Sequence, residues 1–282
     1  MPLPELLAAA WLPALFAGAV AIAATVGVER WGGVAGGFLG TMPSTIVPAS
    51  LGIAASAASP EAFAAAMGTV PAGMLVNALY LYLWRALPPR LPAAGLGARL
   101  AMMLAGSLFA WAGMSLGAVL LLRGLHASGA GAVLLGLVLT AIIGVMGVIA
   151  CWDLPPAPRG HRPVGPGVLA ARGLLAAAAI GLSVALARTG SPLAAGVASV
   201  FPAIFTTTMA SLWLAQGEAV QGGAVGPMML GSASVGTYAL LAALTMPALG
   251  PGPGAAAAWL GAVLSTTLPS WLWTHRRHAA RA

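Results

Sequence analysis

Apolar positions run in nine stretches along this chain, at about 6–27, 33–56, 62–84, 98–122, 129–151, 167–187, 192–215, 219–246 and 255–274. Each is long enough to cross a bilayer, because a ~30 Å hydrocarbon core takes about 20 apolar residues in a helix. None alternates polar and apolar positions as a membrane strand does. Backbone in lipid must also satisfy its own hydrogen bonds, so every stretch is predicted to be helical. Polar positions fall between the stretches: around Glu29, from Arg85 to Arg99, and in the linker 153–166, DLPPAPRGHRPVGP. The pattern predicts an all-α, polytopic bundle of about nine transmembrane helices. Residues 1–151 hold five spans, 152–166 a Pro-rich cytoplasmic linker, 167–275 four spans, and 276–282 a basic cytoplasmic tail. The first run carries Glu5 where a signal peptide has a basic region, and is read as a retained first helix.

Nine spans sort the arginines by side. Arg30, Arg85, Arg90, Arg99, Arg159, Arg162, Arg172, Arg276, Arg277 and Arg281 share the side of the C-terminus, and only Arg123 and Arg188 take the other. Basic residues favour the cytoplasmic face. The expected topology is a multi-pass inner-membrane protein with its N-terminus outside and its C-terminus cytoplasmic. Trp31, Trp84, Trp152, Trp213, Trp271 and Trp273 would form an interfacial belt on the cytoplasmic side, with Trp11 and Trp259 toward the outer one.

Composition narrows the class. The chain is 60% hydrophobic and 6% charged, against about 25% charged in soluble domains. Its net charge is +7, but the arginines sit in short loops without the basic, aromatic-interleaved stripe of a nucleic-acid surface. The expected partners are therefore the lipid bilayer and a small solute or ion, with no nucleic acid; a second copy of the chain is also admitted. The single Cys151 excludes an intramolecular disulfide and a multi-cysteine metal site. No Walker loop, HExxH or CxxC stretch is present, and neither an enzyme nor a cofactor is expected.

Spans two and seven share a design. Pro43 is followed by Ser44 and Thr45 and preceded by Thr41; Pro202 is followed by Thr206, Thr207 and Thr208. Aligning Pro43 with Pro202 also aligns Gly37 with Gly196. In the next spans Glu61 is followed by Pro71, and Glu218 by Pro227; a register one residue different pairs Gly68 with Gly226 and Tyr80 with Tyr238. The layout predicts two copies, spans 1–4 and 6–9. They start five spans apart, so they cross the membrane in opposite senses. Interrupted helices at matching places in inverted repeats point to a transporter's midplane site.

The expected function is secondary transport of a small solute or ion by alternating access. Thr41, Pro43, Ser44, Thr45, Pro202, Thr206, Thr207 and Thr208 would bind substrate, because a proline frees backbone groups that polar ligands can use. Glu61, Glu218, Asn77 and Gln221 would couple or gate. Plainer readings stand beside these. The prolines can be simple kinks, SerProGlu at 59–61 is a good helix start, and Asn77 and Tyr80 can be packing contacts. Methionines in these spans admit a soft or divalent metal as alternative substrate, but they also fill gaps, and no metal site is assigned. A membrane-embedded structural or partner subunit without transport is the alternative function.

Overall fold

The computed structural model describes residues 3–31, 42–129, 131–152, 165–216 and 222–279. Among them it is all-helical, with no strand. The helices are α1 (Leu3–Trp31), α2 (Ile46–Ser56), α3 (Pro60–Ala86), α4 (Leu96–Ala127), α5 (Ala132–Ala150), α6 (Pro166–Arg188), α7 (Pro192–Ala198), α8 (Ala203–Gln216), α9 (Gly222–Leu249), α10 (Pro251–Ala262) and α11 (Leu268–Ala279). One π-helical turn, Val263–Thr267, joins α10 to α11, just before Pro269, which has no N–H for the Ser265 carbonyl. Seven stretches are long and apolar enough to cross a membrane: α3, α4, α5, α6, α7 with α8, α9, and α10 with α11. This is a helical membrane bundle.

Local chemistry sets the helix ends. Ser59 accepts the backbone N–H of Ala62, and Pro60 takes the first helical position, where a missing N–H does no harm. Pro192 and Pro251 start α7 and α10 in the same way. Gly190 and Gly250 turn the chain after α6 and α9 with φ of 76° and 86°, a region that side chains disfavour. Pro13, Pro71, Pro227 and Pro247 all lie inside unbroken helices, so a proline alone does not interrupt a helix here.

The interior is built on α3, α9 and the α7/α8 pair. Tyr80, Trp84, Trp213 and Tyr238 are fully buried. Trp84 and Trp213 meet edge to face at 6.2 Å. They belong to the core and not to an interfacial belt, because α3 and α8 run side by side at this depth. By contrast α4, α5 and α10 turn large apolar side chains outward, with Phe109 at 84% exposure and Leu134 and Leu260 also exposed. Lipid is the natural solvent for those faces.

Close approaches fix helix directions. Gly18 meets Gly173 and Ala177, while Ala14 lies near Gly181, so α1 and α6 are antiparallel. Gly52 packs on Val184, and Ser56 accepts from Arg188, so α2 runs parallel to α6. Gly73 lies on Val197 and Trp84 on Trp213, so α3 is parallel to α7 and α8. Leu230 meets Gly147 and Leu240 meets Gly136, which sets α9 antiparallel to α5. Small residues allow these distances. A Cβ on Gly196 would collide with the Ala66 carbonyl and the Thr69 hydroxyl, neither of which is a movable chain end. Gly196→Val is expected to lower stability by about 1–3 kcal/mol, read as the unfolding midpoint in detergent. Gly95→Val, with open space around it, is the control.

Arg85 donates to the carbonyl of Ala150, and the Arg277 guanidinium stacks 3.8 Å over the Trp152 ring. These contacts gather Arg85, Trp152 and Arg277 at one end of the bundle.

Candidate functional site

The apolar stretch at about 192–215 is interrupted. Helix α7 ends at Ala198, α8 begins at Ala203, and Ser199–Pro202 make turns between them. Asn77 on α3 fills the gap: its Nδ2 donates to the Val200 carbonyl at 2.7 Å, and its Oδ1 accepts the indole N–H of Trp111 at 2.8 Å. Ser199 donates back to Gly196 O at 2.7 Å. Trp111 in turn meets Phe201 edge to face at 5.1 Å. The amide serves the broken backbone on one side and a neighbouring helix on the other, which is why the turn persists between dry helices.

Two phenols complete the interior. Tyr80 pairs with Thr206 at 2.7 Å, and Tyr238 pairs with Ser50 at 2.6 Å. Thr206 donates to Pro202 O and Ser50 to Val47 O. Each hydroxyl has one proton, so the tyrosine is the donor in both pairs when those back-bonds stand. One pair joins α3 to α8 and the other joins α9 to α2.

Arg172 on α6 is 5% exposed. Its Nε donates to Thr207 at 2.8 Å and its Nη2 to Thr208 at 3.0 Å. Sequence reasoning missed this role, because counting arginines by side assigned Arg172 to the membrane surface. Its place seven residues into an apolar helix was the available signal: a charge within a span usually marks function.

The remaining expected site residues divide as follows. Pro43 is buried, and Ser44 and Thr45 are half-buried just before α2, where Thr45 makes no side-chain cap bond. The helix thus starts at Ile46, three residues after Pro43. Thr206, Thr207 and Thr208 sit on the first turns of α8, and Pro202 is buried in the break. Glu61 is exposed in the first turn of α3, where a carboxylate complements the helix dipole. Thr41, Glu218 and Gln221 lie outside the described residues, as does the part of span two that precedes them, so the expected break there has no described counterpart. Among the described residues no group of three His, Cys, Asp or Glu side chains could hold a metal.

Cys151 caps α5, and burial pushes its thiol from the usual 9 up to about 11. Thiolate is the reactive form, so at neutral pH it is ~100-fold scarcer than at an ordinary cysteine. Maleimide labelling of the native chain is expected to be slow at pH 7 and to rise with pH toward 11. Fast labelling at pH 7 would contradict this burial.

No family model, curated protein or solved structure matches the chain.

Proposed function

We propose that the chain is a secondary transporter that moves a small solute or ion across an inner membrane by alternating access. It would cross nine times, N-terminus outside and C-terminus cytoplasmic, with spans 1–4 and 6–9 as inverted copies. The observation that carries this reading is the pair of phenol bonds, Tyr80 to Thr206 and Tyr238 to Ser50. Tyrosines matched by register in the two copies reach hydroxyls on the two matched spans, seven and two, although Thr206 and Ser50 lie three residues apart in the register that aligns Pro43 with Pro202. Chance similarity in an Ala- and Leu-rich chain does not favour crossed partners of this kind.

The packing supports the same exchange. Helix α1 pairs with α6 and α3 with α9, each antiparallel; α5 touches both α3 and α9; α3 meets α7 while α9 meets α2. Swapping span one for six, two for seven, three for eight and four for nine leaves these neighbours in place. The directions of the pairs alternate as nine successive crossings require. Burial of both phenols favours a closed form, with polar groups held ready between two halves.

The test uses single cysteines at positions 44 and 206, which the slow Cys151 thiol leaves legible. In oriented vesicles, impermeant thiol reagents are expected to label each position from one side. Failure from both sides would mean dry, packed kinks and would remove the transport reading in favour of a structural subunit. Solute uptake is expected to fall in the Glu61→Gln and Glu218→Gln variants. Unchanged uptake would end the coupling role proposed for them.

A further inference from the structure

We infer that the face between α4 and α7 holds one phospholipid, its acyl chain in the groove and its phosphate on Arg123. The inference rests on the membrane bundle alone, not on transport, so the two readings fail separately.

The groove has a volume of about 270 Å³. One wall is a single ridge of α4, Trp111, Ser115, Val119 and Arg123, spaced four residues apart. The other is the short α7, where Ala194, Val197 and Ala198 are too small to close the gap. Trp111 to Arg123 covers twelve residues, ~18 Å at helical rise. Half of a ~30 Å hydrocarbon core is ~15 Å. The groove therefore has the length of one leaflet's acyl chain, with a guanidinium where the headgroup begins.

Arg123 is exposed, close to the C-terminal end of α4, and makes no hydrogen bond or ion pair with any described residue. A planar guanidinium matches a phosphate with two parallel bonds. Ser115 is 9% exposed, and its hydroxyl has no partner. Serine in a tight helix contact ordinarily bonds its own helix or its neighbour, so the orphan hydroxyl marks where the packing of α4 on α7 stops. Leu116 and Leu120 flank the groove and face outward, so the site opens to lipid and not to water. Its inner end is Trp111, the residue that holds Asn77 against the broken helix. A seated acyl chain would press on the wall of the break.

Native mass spectrometry of the detergent-purified full chain provides the test, with phosphatidylglycerol as probe and diacylglycerol as its phosphate-free counterpart. One phosphatidylglycerol per chain is expected to survive detergent removal. Arg123→Gln and Ala194→Leu should each lower the retained fraction at least fivefold, and Arg188→Gln should leave it unchanged. If Ala194→Leu does not fold, Arg123→Gln decides, since that side chain stands at the exposed rim. Retention unaffected by Arg123→Gln, as expected if a second copy or nothing specific covers the face, overturns the assignment. So does equal retention of diacylglycerol.

Discussion

Asn77→Leu is expected to be the most destabilising single change away from the glycines, lowering stability by about 2–4 kcal/mol. The substitution keeps volume and removes both hydrogen bonds. Val200 then presents a carbonyl, and Trp111 an indole N–H, to an apolar interior. Each buried orphan costs about 1–3 kcal/mol, and neither can reach water without moving α4 or α7. The measurement is the unfolding midpoint of the purified chain in detergent, with hydrogen exchange at residues 199–203 as local readout. Exchange there should rise before the rest of the molecule opens. A midpoint within about 0.5 kcal/mol of the parent would mean that the broken segment finds other partners, and that the amide of Asn77 is not what sustains the turn.

Arg172→Met should free α8 from α6. Hydrogen bonds to charged groups contribute about 1.5–3 kcal/mol each, and Arg172 makes two to the first turns of α8. Methionine preserves the apolar stem and drops both. Ala203 is buried at the head of α8, clustered with Ala21 and Ala176, so a cysteine there reports local opening. Ala203→Cys is expected to react with maleimide at least tenfold faster when combined with Arg172→Met. Arg172→Lys should behave more like methionine than like arginine, since one ammonium does not reproduce a fork that spans two hydroxyls. Equal rates in all three backgrounds would show that α8 is held by packing alone.

Apolar periodicity located the helices because lipid leaves a spanning backbone few alternatives, and Pro202 located the broken one. The same reasoning expected a second break at Pro43 and used Pro71 and Pro227 only to mark the repeat; Pro71 and Pro227 lie in unbroken helices. What separates Pro202 from them is a partner from elsewhere in the chain, Asn77, and one sequence cannot display a contact across 123 positions. The π turn at Val263–Thr267 has a candidate signal in Pro269, which lacks the N–H that would bond to the Ser265 carbonyl, but Pro71 and Pro227 show that a proline by itself does not predict a departure from the α-helix. Trp84 and Trp213 read as interfacial because spacing places them near helix ends, although depth along a span says nothing about which side faces the core. Arg172 read as a surface charge until the fold turned its guanidinium onto Thr207 and Thr208. The matched tyrosines were legible as an alignment, and only the fold supplied their crossed partners.

The proposed exchange of halves has an energetic corollary. Tyr80 with Thr206 and Tyr238 with Ser50 are alike in chemistry and length, so a motion that parts one pair while keeping the other loses the same bond in either direction. Neither orientation is then favoured by its phenol. The bias falls on what the copies do not share. The offset that superimposes Pro43 on Pro202 sets Arg172 on Pro13, which packs on Gly52 of α2 and donates nothing. If the halves exchange as proposed, a guanidinium on one side with an imino acid opposite would weight the two-state balance at one end, and the resting shape would be the one in which α8 stays tied down.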